Sequence, residues 1–449
     1  MRVLLTNHHL HDRAGSELYV SELASALRDR GHDVRLFTLL PGAQAEHLQR
    51  TGFTVYTPAD FAAALAFAPE VAHVHHGPCL WWAGTVNLAC PVIFSSLGVI
   101  PPHEAAPPAW PGVALGAAVS EEVHAKLEAA PFGQTVELQV MRNWYDDRGL
   151  KAPKPRVPKS LKRVAVVTNH LNPAIAEHLN ALNLEWTHFG LPENSVEMTP
   201  SVLAPFDAVV CIGRTVLLAA ALGKPVIIYD NHGCDGVLSA ERLDDLASVN
   251  FSGRLTRHQP TLDEFRALLK TARQVDLAAA QRAVKKRFAL TTRATEWEGL
   301  YQRAIASGVR LTDSAREIYR PMFDLYWGAL QLAHIHYPSE LRRVGDALTS
   351  QQQQTEALRA QLAQALTRGE ELEAQTTHLT ERLTNAHADV QRLHAELRAA
   401  EAQLHAPGAE DALRLAEKAN VLRASLLPEG TKRLEAFRTA LHWARKKTR

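Results

Sequence analysis

The chain opens with MRVLLTNHHLHDRAGSELYVSELASALRDRGHDVRLFT (residues 1–38), and this stretch decides the fold. The apolar run Val3-Leu4-Leu5 precedes a polar loop, after which apolar residues recur at helical spacing from Val20 to Leu27. Gly31 ends that helix, and His32 to Thr38 returns to a strand pattern. A strand, a glycine-containing loop, a helix and a second strand predict a parallel sheet covered by helices.

The same alternation of strand and helix patterns occurs twice along the chain. It continues through Glu70–His75, and it restarts at Val164–Val167. Between the two runs, residues 151–160 (KAPKPRVPKS) contain three prolines and four basic residues, which predict an interdomain linker. The predicted fold class is α/β, with one Rossmann-like domain over residues 1–150 and a second over residues 161–305. We expect the second domain to be closed by helices anchored at Phe288, Trp297 and Tyr301.

The composition excludes several classes of protein. A formal net charge of +1 over 449 residues gives no case for nucleic-acid binding, so no nucleic-acid partner is expected. The four cysteines form neither a C-x-x-C pair nor a zinc-ligand spacing. No apolar stretch approaches the roughly 18 residues of a membrane-spanning helix, and no signal-peptide pattern is present. We therefore expect a cytoplasmic protein.

Beyond a helical connector at residues 306–340, leucine and valine recur at heptad spacing through residues 341–405. The pattern holds for about nine heptads, which predicts a coiled coil that joins copies of the chain into a homo-oligomer. The alternative is one long solvated helix that folds back onto the body of the protein.

Residues 428–449 form a basic segment. From Thr431 onward there are seven basic residues, and Glu435 is the single acid. Leu434, Phe437 and Leu441 line one face of a helix. A basic amphipathic helix favours an anionic membrane surface, so we expect peripheral attachment at the inner face of a membrane. The alternative is a solvated basic tail.

Short motifs along residues 1–305 resemble those of one enzyme family. Ala14-Gly15-Ser16-Glu17 is similar to a G-G-x-E loop, and Glu70–His75 is similar to a P-D-x-V-H-x-H strand. Residues 140–146 resemble a V-x-R-N-x-x-D segment, and GRTVLLAAALGKPVIIYD (residues 213–230) resembles a nucleotide-sugar segment. On these motifs the chain resembles the family-4 retaining glycosyltransferases of GT-B fold, in a divergent subgroup similar to bacterial polysaccharide-assembly enzymes.

The resemblance implies a reaction and a division of labour between the domains. It implies transfer of a sugar from a nucleotide-diphosphate donor to a glycan or lipid-linked acceptor in surface polysaccharide synthesis, with retention of the anomeric configuration. Residues 1–150 are then the acceptor-side domain, and residues 161–305 are the nucleotide-sugar domain. The nucleotide sugar is a co-substrate, and the resemblance implies neither a metal nor a cofactor.

Two glycine loops that lead into helices are the candidate diphosphate sites, because backbone N–H groups and the helix dipole favour a bound anion there. Gly15 opens one helix, Gly213 opens the other, and Arg214 can hold two phosphate oxygens with its planar fork. The catalytic candidates are Arg214, which stabilises the departing diphosphate, and the acid–base residues His76 and His103. The other substrate-binding candidates are polar or glycine residues near predicted strand ends: Ser16, Glu17, Asn169, His170, Thr215, Asp230, His232 and Gly233.

The histidines near the first and third predicted strands could suggest a metal site. His8, His9 and His11 cluster in one place, and His73 and His75 share a strand face. A metal site needs a carboxylate or a third ligand in place, so the sequence favours polar histidines that line a cleft.

The sequence departs from the family pattern at three places. Leu218 stands where the family has a glutamate that contacts the donor ribose, and Leu97 stands where it has a histidine. Thr168-Asn169-His170 replaces the basic residues that usually hold the diphosphate. These departures leave two main hypotheses open: a divergent active enzyme, and a catalytically weakened scaffold that organises a membrane-associated polysaccharide-assembly complex. A GT-B epimerase is a third.

Overall fold

The structure is a computed structural model, and it describes residues 1–12, 15–86, 88–107, 112–158, 160–190, 194, 196–367, 380, 383–385, 387–396 and 398. The chain divides into two compact units, Met1–Tyr319 and Arg320–Arg449. The predicted basic helix at residues 428–449 lies outside the described residues.

The first domain is built on a sheet of seven parallel strands. Its strands are β1 (Arg2–Leu10), β2 (Asp33–Pro41), β3 (Val55–Tyr56), β4 (Val71–His75), β5 (Val92–Ser96), β6 (Val113–Ala118) and β7 (Leu138–Val140). They lie in the order β3-β2-β1-β4-β5-β6-β7. The connecting helices are α1 (Gly15–Asp29), α2 (Ala43–Arg50), α3 (Phe61–Ala66), α4 (Gly77–Thr85) and α5 (Glu121–Glu128), with short 3₁₀ turns at Pro58–Asp60, Pro102–Glu104 and Pro131–Gln134.

The second domain is built on a sheet of five strands. They are β8 (Arg163–Val167), β9 (Glu185–Phe189), β10 (Ala208–Cys211), β11 (Val226–Asp230) and β12 (Gly233–Val237). The order is β12-β11-β10-β8-β9, and β12 alone among them runs antiparallel to its neighbour. The helices are α6 (Pro173–Ala181), α7 (Pro200–Leu203), α8 (Arg214–Ala221), α9 (Leu243–Ser248), α10 (Leu262–Ala272) and α11 (Leu277–Phe288).

The predicted fold class, α/β with two Rossmann-like domains, is confirmed. Strand residues such as Val164 and Val209 are fully buried, because helices cover the sheets and leave little of these strands to solvent. Residues 151–158 between the two sheets contain neither helix nor strand, as their prolines require.

Helix α12 (Leu290–Ser307) differs from the prediction, because it belongs to the core of the first domain and not to that of the second. Trp297 and Tyr301 are buried there, and the helix packs against α1 and against strands β4 to β6. Phe288, in contrast, lies in a core cluster of the second domain. The apolar face of a helix shows that it covers a sheet, but periodicity alone cannot tell which of two sheets it covers.

The second unit is helical where it is described. Helix α13 (Asp313–Thr367) is continuous across the predicted boundary between connector and coiled coil. Val344 and Leu348 of this helix pack against Val390 and Leu393 of the same chain. Part of the predicted apolar seam is therefore covered within one chain, and the coiled coil between copies stays a prediction. Among the described residues, no helix has the length and apolar character needed to cross a membrane.

We expect Trp297→Ala to destabilise the first domain strongly. The indole is fully buried in the core of that domain, and removal of a buried aromatic side chain costs about 3 to 5 kcal/mol. Urea unfolding with hydrogen exchange will show whether amide protection is lost in residues 1–140. Thr295→Ala, on the exposed face of the same helix, is the matched control and should change the unfolding free energy little. Loss of protection confined to residues 161–285 would contradict the assignment of α12.

Candidate functional site

Each sheet has a point at which the order of its strands reverses, and both points lie at the carboxyl ends of strands. In the first sheet the chain moves outward from β1 to β3 and then returns to β4 on the other side of β1. In the second sheet it moves from β8 to β9 and returns to β10 on the other side of β8. Loops that leave neighbouring strands in opposite directions open a crevice, which is where ligands bind in open α/β sheets.

The crevice of the first domain is lined by histidines. His8 and His9 lie near the end of β1, and His75 ends β4, with His76 immediately after it. His76 has a φ of 69°, an uncommon left-handed backbone conformation for a residue with a side chain, and it directly precedes helix α4. Such strained residues occur often at functional sites. The His76 side chain is fully buried.

Both ring nitrogens of His76 face protein groups. The backbone N–H of His8 donates to Nδ1 at 3.2 Å, and Nε2 lies 3.3 Å from Oε1 of Glu104. Burial lowers the pKa of His76 well below its usual value, and the neighbouring His9 and His75 lower it further. This placement favours a positioning role for His76 over direct contact with substrate. Its assignment as an acid–base residue stays a prediction.

Glu104 is a member of this cluster that the sequence analysis missed. It ends the 3₁₀ turn Pro102–Glu104, it is 4% exposed, and burial raises its pKa. The backbone N–H of Leu97 donates to Oε2 at 2.7 Å, so Leu97 contributes to this cluster through its main chain. The Ser96 hydroxyl donates to the carbonyl oxygen of Glu104 at 2.9 Å. The sequence signal for Glu104 was only its position beside His103, which lies 4.4 Å from His76 between ring centroids.

The same cluster supplies the carboxylate that the sequence did not place. The ligand atoms of His76, His103 and Glu104 all lie within 4.8 Å of one another, a spacing that could surround one cation. The hydrogen bond from His8 to His76 Nδ1 argues against that use. A neutral imidazole that accepts at Nδ1 keeps its proton on Nε2, whereas a metal ligand needs the Nε2 lone pair.

Glu17 connects the histidines to helix α1. Nδ1 of His8 lies 3.1 Å from Nδ1 of His9, and Nε2 of His9 lies 3.4 Å from Oε1 of Glu17. The Ser16 hydroxyl donates to Oε2 of Glu17 at 3.1 Å. Glu17 is 1% exposed, and burial raises its pKa to about 7. Gly15, Ser16 and Glu17 thus form the start of α1 beside the histidine crevice.

Of the other metal candidates, His73 and His75 belong to the protein core, and His11 lies at the surface. His73 shares a hydrogen bond of 2.9 Å with the Tyr301 hydroxyl, and Nδ1 of His75 donates to the carbonyl oxygen of Thr6 at 2.9 Å. Burial lowers the pKa of His75 to about 4, which keeps this side chain neutral. His11 is largely exposed and lies beside Asp12. These histidines do not converge on one point.

In the second domain, Gly213 and Arg214 stand at the reversal point. Gly213 has a φ of 60° and caps helix α8, and its N–H donates to the carbonyl oxygen of Phe251 at 2.9 Å. Arg214 is the first residue of the helix, and Thr215 follows it half-buried. Leu218 lies further along the helix, partly buried against the core of this domain.

Two ion pairs join the domains across the cleft between the crevices. Arg214 pairs with Glu22 on helix α1. Arg254 forms a bidentate pair with Glu122 on helix α5, with Nε at 3.0 Å from Oε1 and Nη2 at 2.6 Å from Oε2. Both acids belong to the first domain and both arginines to the second. The carboxyl ends of the two sheets therefore face each other closely enough for side chains to meet.

The remaining predicted binding residues lie in the second domain near the ends of β8 and β11. Asp230 is 1% exposed and accepts a hydrogen bond of 3.0 Å from the Thr168 hydroxyl. That same hydroxyl accepts from the His170 N–H at 3.1 Å, next to Asn169. Asp230 is thus engaged by its neighbours, and its contact with a donor stays a prediction.

Gly233 and His232 follow Asp230. A side chain on Gly233 would collide with the backbone of Gly253 and Arg257, so close packing of main chains explains this glycine. His232 is half-buried beside it. A surface depression of about 530 Å³ lies elsewhere, at the amino ends of β8 to β10, and is lined by Lys162 and Asp207 among others. It is remote from both crevices and carries none of the predicted residues.

Comparison with known proteins finds similar solved structures at low sequence identity. No family model and no curated protein sequence matches the chain. Among solved structures, the chain is similar to HepE from Anabaena in complex with UDP and glucose, with 14% identity, a TM-score of 0.45, and coverage of 67% of this chain and 99% of that one. A glycosyltransferase from Rickettsia africae gives 12% identity, a TM-score of 0.45, and coverage of 68% and 98%.

MurG from Acinetobacter baumannii is a further structure of this kind, with 13% identity, a TM-score of 0.37, and coverage of 68% of this chain and 100% of that one. Likenesses of this size establish neither the family nor the activity of the chain.

We expect Glu17 to make stability depend on pH. Its pKa is about 7 in the folded protein and 4.5 without burial, so its contribution is complete below about pH 4.5 and is lost as the pH rises through about 7. The loss corresponds to about 3 kcal/mol of unfolding free energy. Urea unfolding across this range should show Glu17→Gln gaining about that much relative to wild type. Glu128→Gln, at an exposed site on α5, serves as the control. A pH profile of Glu17→Gln parallel to that of wild type would refute the assignment.

Proposed function

We propose that the chain is a glycosyltransferase that moves a sugar from a nucleotide-diphosphate donor to a glycan or lipid-linked acceptor in surface polysaccharide synthesis. The observation that carries the proposal is the meeting of the two crevices at the Arg214–Glu22 pair. In the second domain, the Arg214 guanidinium and the N-terminus of α8 lie at the cleft. The histidine-lined crevice of the first domain lies on the other side. This arrangement suits a diphosphate leaving group held beside a sugar and its acceptor.

The catalytic step that we propose depends on charge stabilisation. Arg214, the N-terminal end of helix α8 and the amide at Gly15 hold the departing diphosphate, where negative charge develops as the bond between the sugar and the diphosphate breaks. The Gly213 N–H is already donated to Phe251 and takes no part. In this proposal His103, which is half-buried at the first crevice, exchanges a proton with the acceptor hydroxyl. We further propose retention of configuration without a metal, on the basis of the motifs at residues 14–17 and 213–230.

A scaffold without catalysis is the second candidate. Leu218 and Leu97 favour it, because leucine cannot accept a hydrogen bond from a ribose or donate one to a sugar. In that case the two Rossmann-like domains serve as a docking module. Nucleotide binding separates the two candidates.

We expect the full chain to bind at least one nucleotide diphosphate among UDP, GDP and dTDP in isothermal calorimetry. Arg214→Ala removes a charged donor to phosphate and should weaken binding by about tenfold or more. Arg303→Ala is the matched control, because Arg303 lies on α12 in an exposed ion pair with Glu137. This variant should bind nucleotide as wild type does. If none of the three nucleotides binds, the glycosyltransferase proposal is wrong and the scaffold hypothesis is favoured. Binding without sugar release from the matching nucleotide sugars would indicate a weakened enzyme.

We also propose that residues 428–449 attach the protein to an anionic membrane surface and that residues 341–405 join copies of the chain. Seven basic residues, each worth about 1 kcal/mol near an anionic surface, support the first proposal. Deletion of residues 428–449 should release the protein from phosphatidylglycerol vesicles, and added salt should release the full chain. Vesicles of neutral phosphatidylcholine are the control. Equal vesicle binding with and without the segment would defeat the membrane proposal.

A further inference from the structure

Three arginines from different parts of the chain lie near the junction of the two domains. Arg142 follows β7, Arg214 begins α8, and Arg293 lies in the first turns of α12. Each has one carboxylate partner on one edge of its guanidinium, and these partners are Glu121, Glu22 and Glu296, respectively. The three side chains are between 13% and 18% exposed.

Each of these guanidinium groups also has buried nitrogen without a hydrogen-bond partner among the described residues. These atoms are Nη1 of Arg142, Nε and Nη1 of Arg214, and Nε of Arg293. A buried charged donor without an acceptor is costly, and native proteins seldom leave one unexplained. Four such atoms on three neighbouring cations indicate that an anionic group with several oxygens completes their hydrogen bonding.

Tyr19 and Trp144 connect the surroundings of Arg214 and Arg293. The two rings lie 4.0 Å apart between centroids, and the Trp144 indole donates to Oε2 of Glu22 at 2.8 Å. Burial raises the pKa of Tyr19, and the charges of Arg214 and Arg293 oppose that rise. Burial lowers the pKa of Arg293, and the charge of Arg142 lowers it further. Arg293 is therefore within electrostatic range of Arg142 and of Tyr19, and Arg214 is within range of the same tyrosine.

We propose that Arg142, Arg214 and Arg293 form one anion-binding pocket, and that its ligand is the diphosphate of the nucleotide sugar. The evidence for an anion pocket is the set of guanidinium nitrogens without hydrogen-bond partners among the described residues. The identity of the anion rests on the proposed function. Arg142 and Arg293 then take the place of the basic residues that Thr168-Asn169-His170 lacks. They come from the first domain and from α12, on the side of the cleft opposite to that loop's sheet.

Glu22 acts in this pocket as an internal counter-ion. It occupies one edge of Arg214 through Oε2 and is held there by Trp144. A diphosphate that approaches Arg214 carries the same sign of charge as Glu22, so Glu22 must weaken its binding. Removal of this negative charge should therefore act in the opposite direction to removal of Arg142 or Arg293.

Calorimetry with inorganic pyrophosphate, UDP and GDP tests the pocket in the full chain. Arg142→Gln and Arg293→Gln should each weaken binding by about tenfold or more, because each removes a charge-assisted donor. Arg142→Lys and Arg293→Lys keep the positive charge but lose the planar guanidinium. Their affinities should therefore lie between those of the glutamine variants and wild type. Glu22→Gln, which still accepts from Trp144, should bind more tightly than wild type. Arg303→Gln is the control, and melting curves confirm that every variant is folded.

The outcomes separate this pocket from the proposed function. Pyrophosphate binding that depends on Arg142 and Arg293 supports the pocket even when no nucleotide binds, and in that case the glycosyltransferase proposal fails alone. Nucleotide binding that is unchanged in the folded Arg142 and Arg293 variants overturns the pocket, assigns these arginines to domain packing, and leaves the proposed function intact. Binding of neither pyrophosphate nor a nucleotide overturns both.

Discussion

The ion pair between Arg214 and Glu22 joins the carboxyl ends of the two sheets, and the candidate site depends on it. Parallel strands place their loops at one edge, and the reversal of strand order in each sheet opens a crevice there. The pair is partly buried and is held on its acidic side by the Trp144 indole, so solvent screens it less than a surface pair. Because Arg254 and Glu122 form a second such contact, the two crevices are kept face to face.

The first crevice illustrates how neighbouring polar groups determine what a histidine can do. His76 is fully buried, accepts at Nδ1 from the His8 N–H, and has Nε2 3.3 Å from Oε1 of Glu104, so it orders the crevice. Glu104 is in turn fixed by the Leu97 N–H. Leu97 therefore helps to organise this polar cluster through its backbone although its side chain is apolar. His8, His9 and His103 are half-buried, so they are the histidines of this group that a ligand could reach.

Helix α12 connects the stability of the first domain to the charges at the junction. Its apolar face places Trp297 and Tyr301 in the core of that domain, and its first turn holds Arg293 within electrostatic range of Arg142. The chain therefore passes between the domains at residues 151–160 and again near Ala289, where Tyr145 and Leu290 share a backbone hydrogen bond of 3.0 Å. Any movement of one domain relative to the other must change the backbone at these two crossings, and the second of them lies three residues from Arg142 and from Arg293 along the chain.

The sequence by itself determined the two α/β domains, because alternating apolar runs and helical periodicity report local burial directly. It also placed Gly15, Gly213 and Arg214 at strand ends, since a glycine before a helix has a local backbone reason. It could not place Glu104, pair Arg214 with Glu22, or assign α12 to the first sheet. His76 and Glu104 are 28 positions apart in sequence, and Glu22 and Arg214 are 192 positions apart. Trp297 of α12 and Val71 of the first sheet are more than 200 positions apart. No local pattern encodes contacts over such separations. Only the tertiary structure brought these groups together, because burial of α12 and the reversal of strand order decide which distant side chains share one crevice.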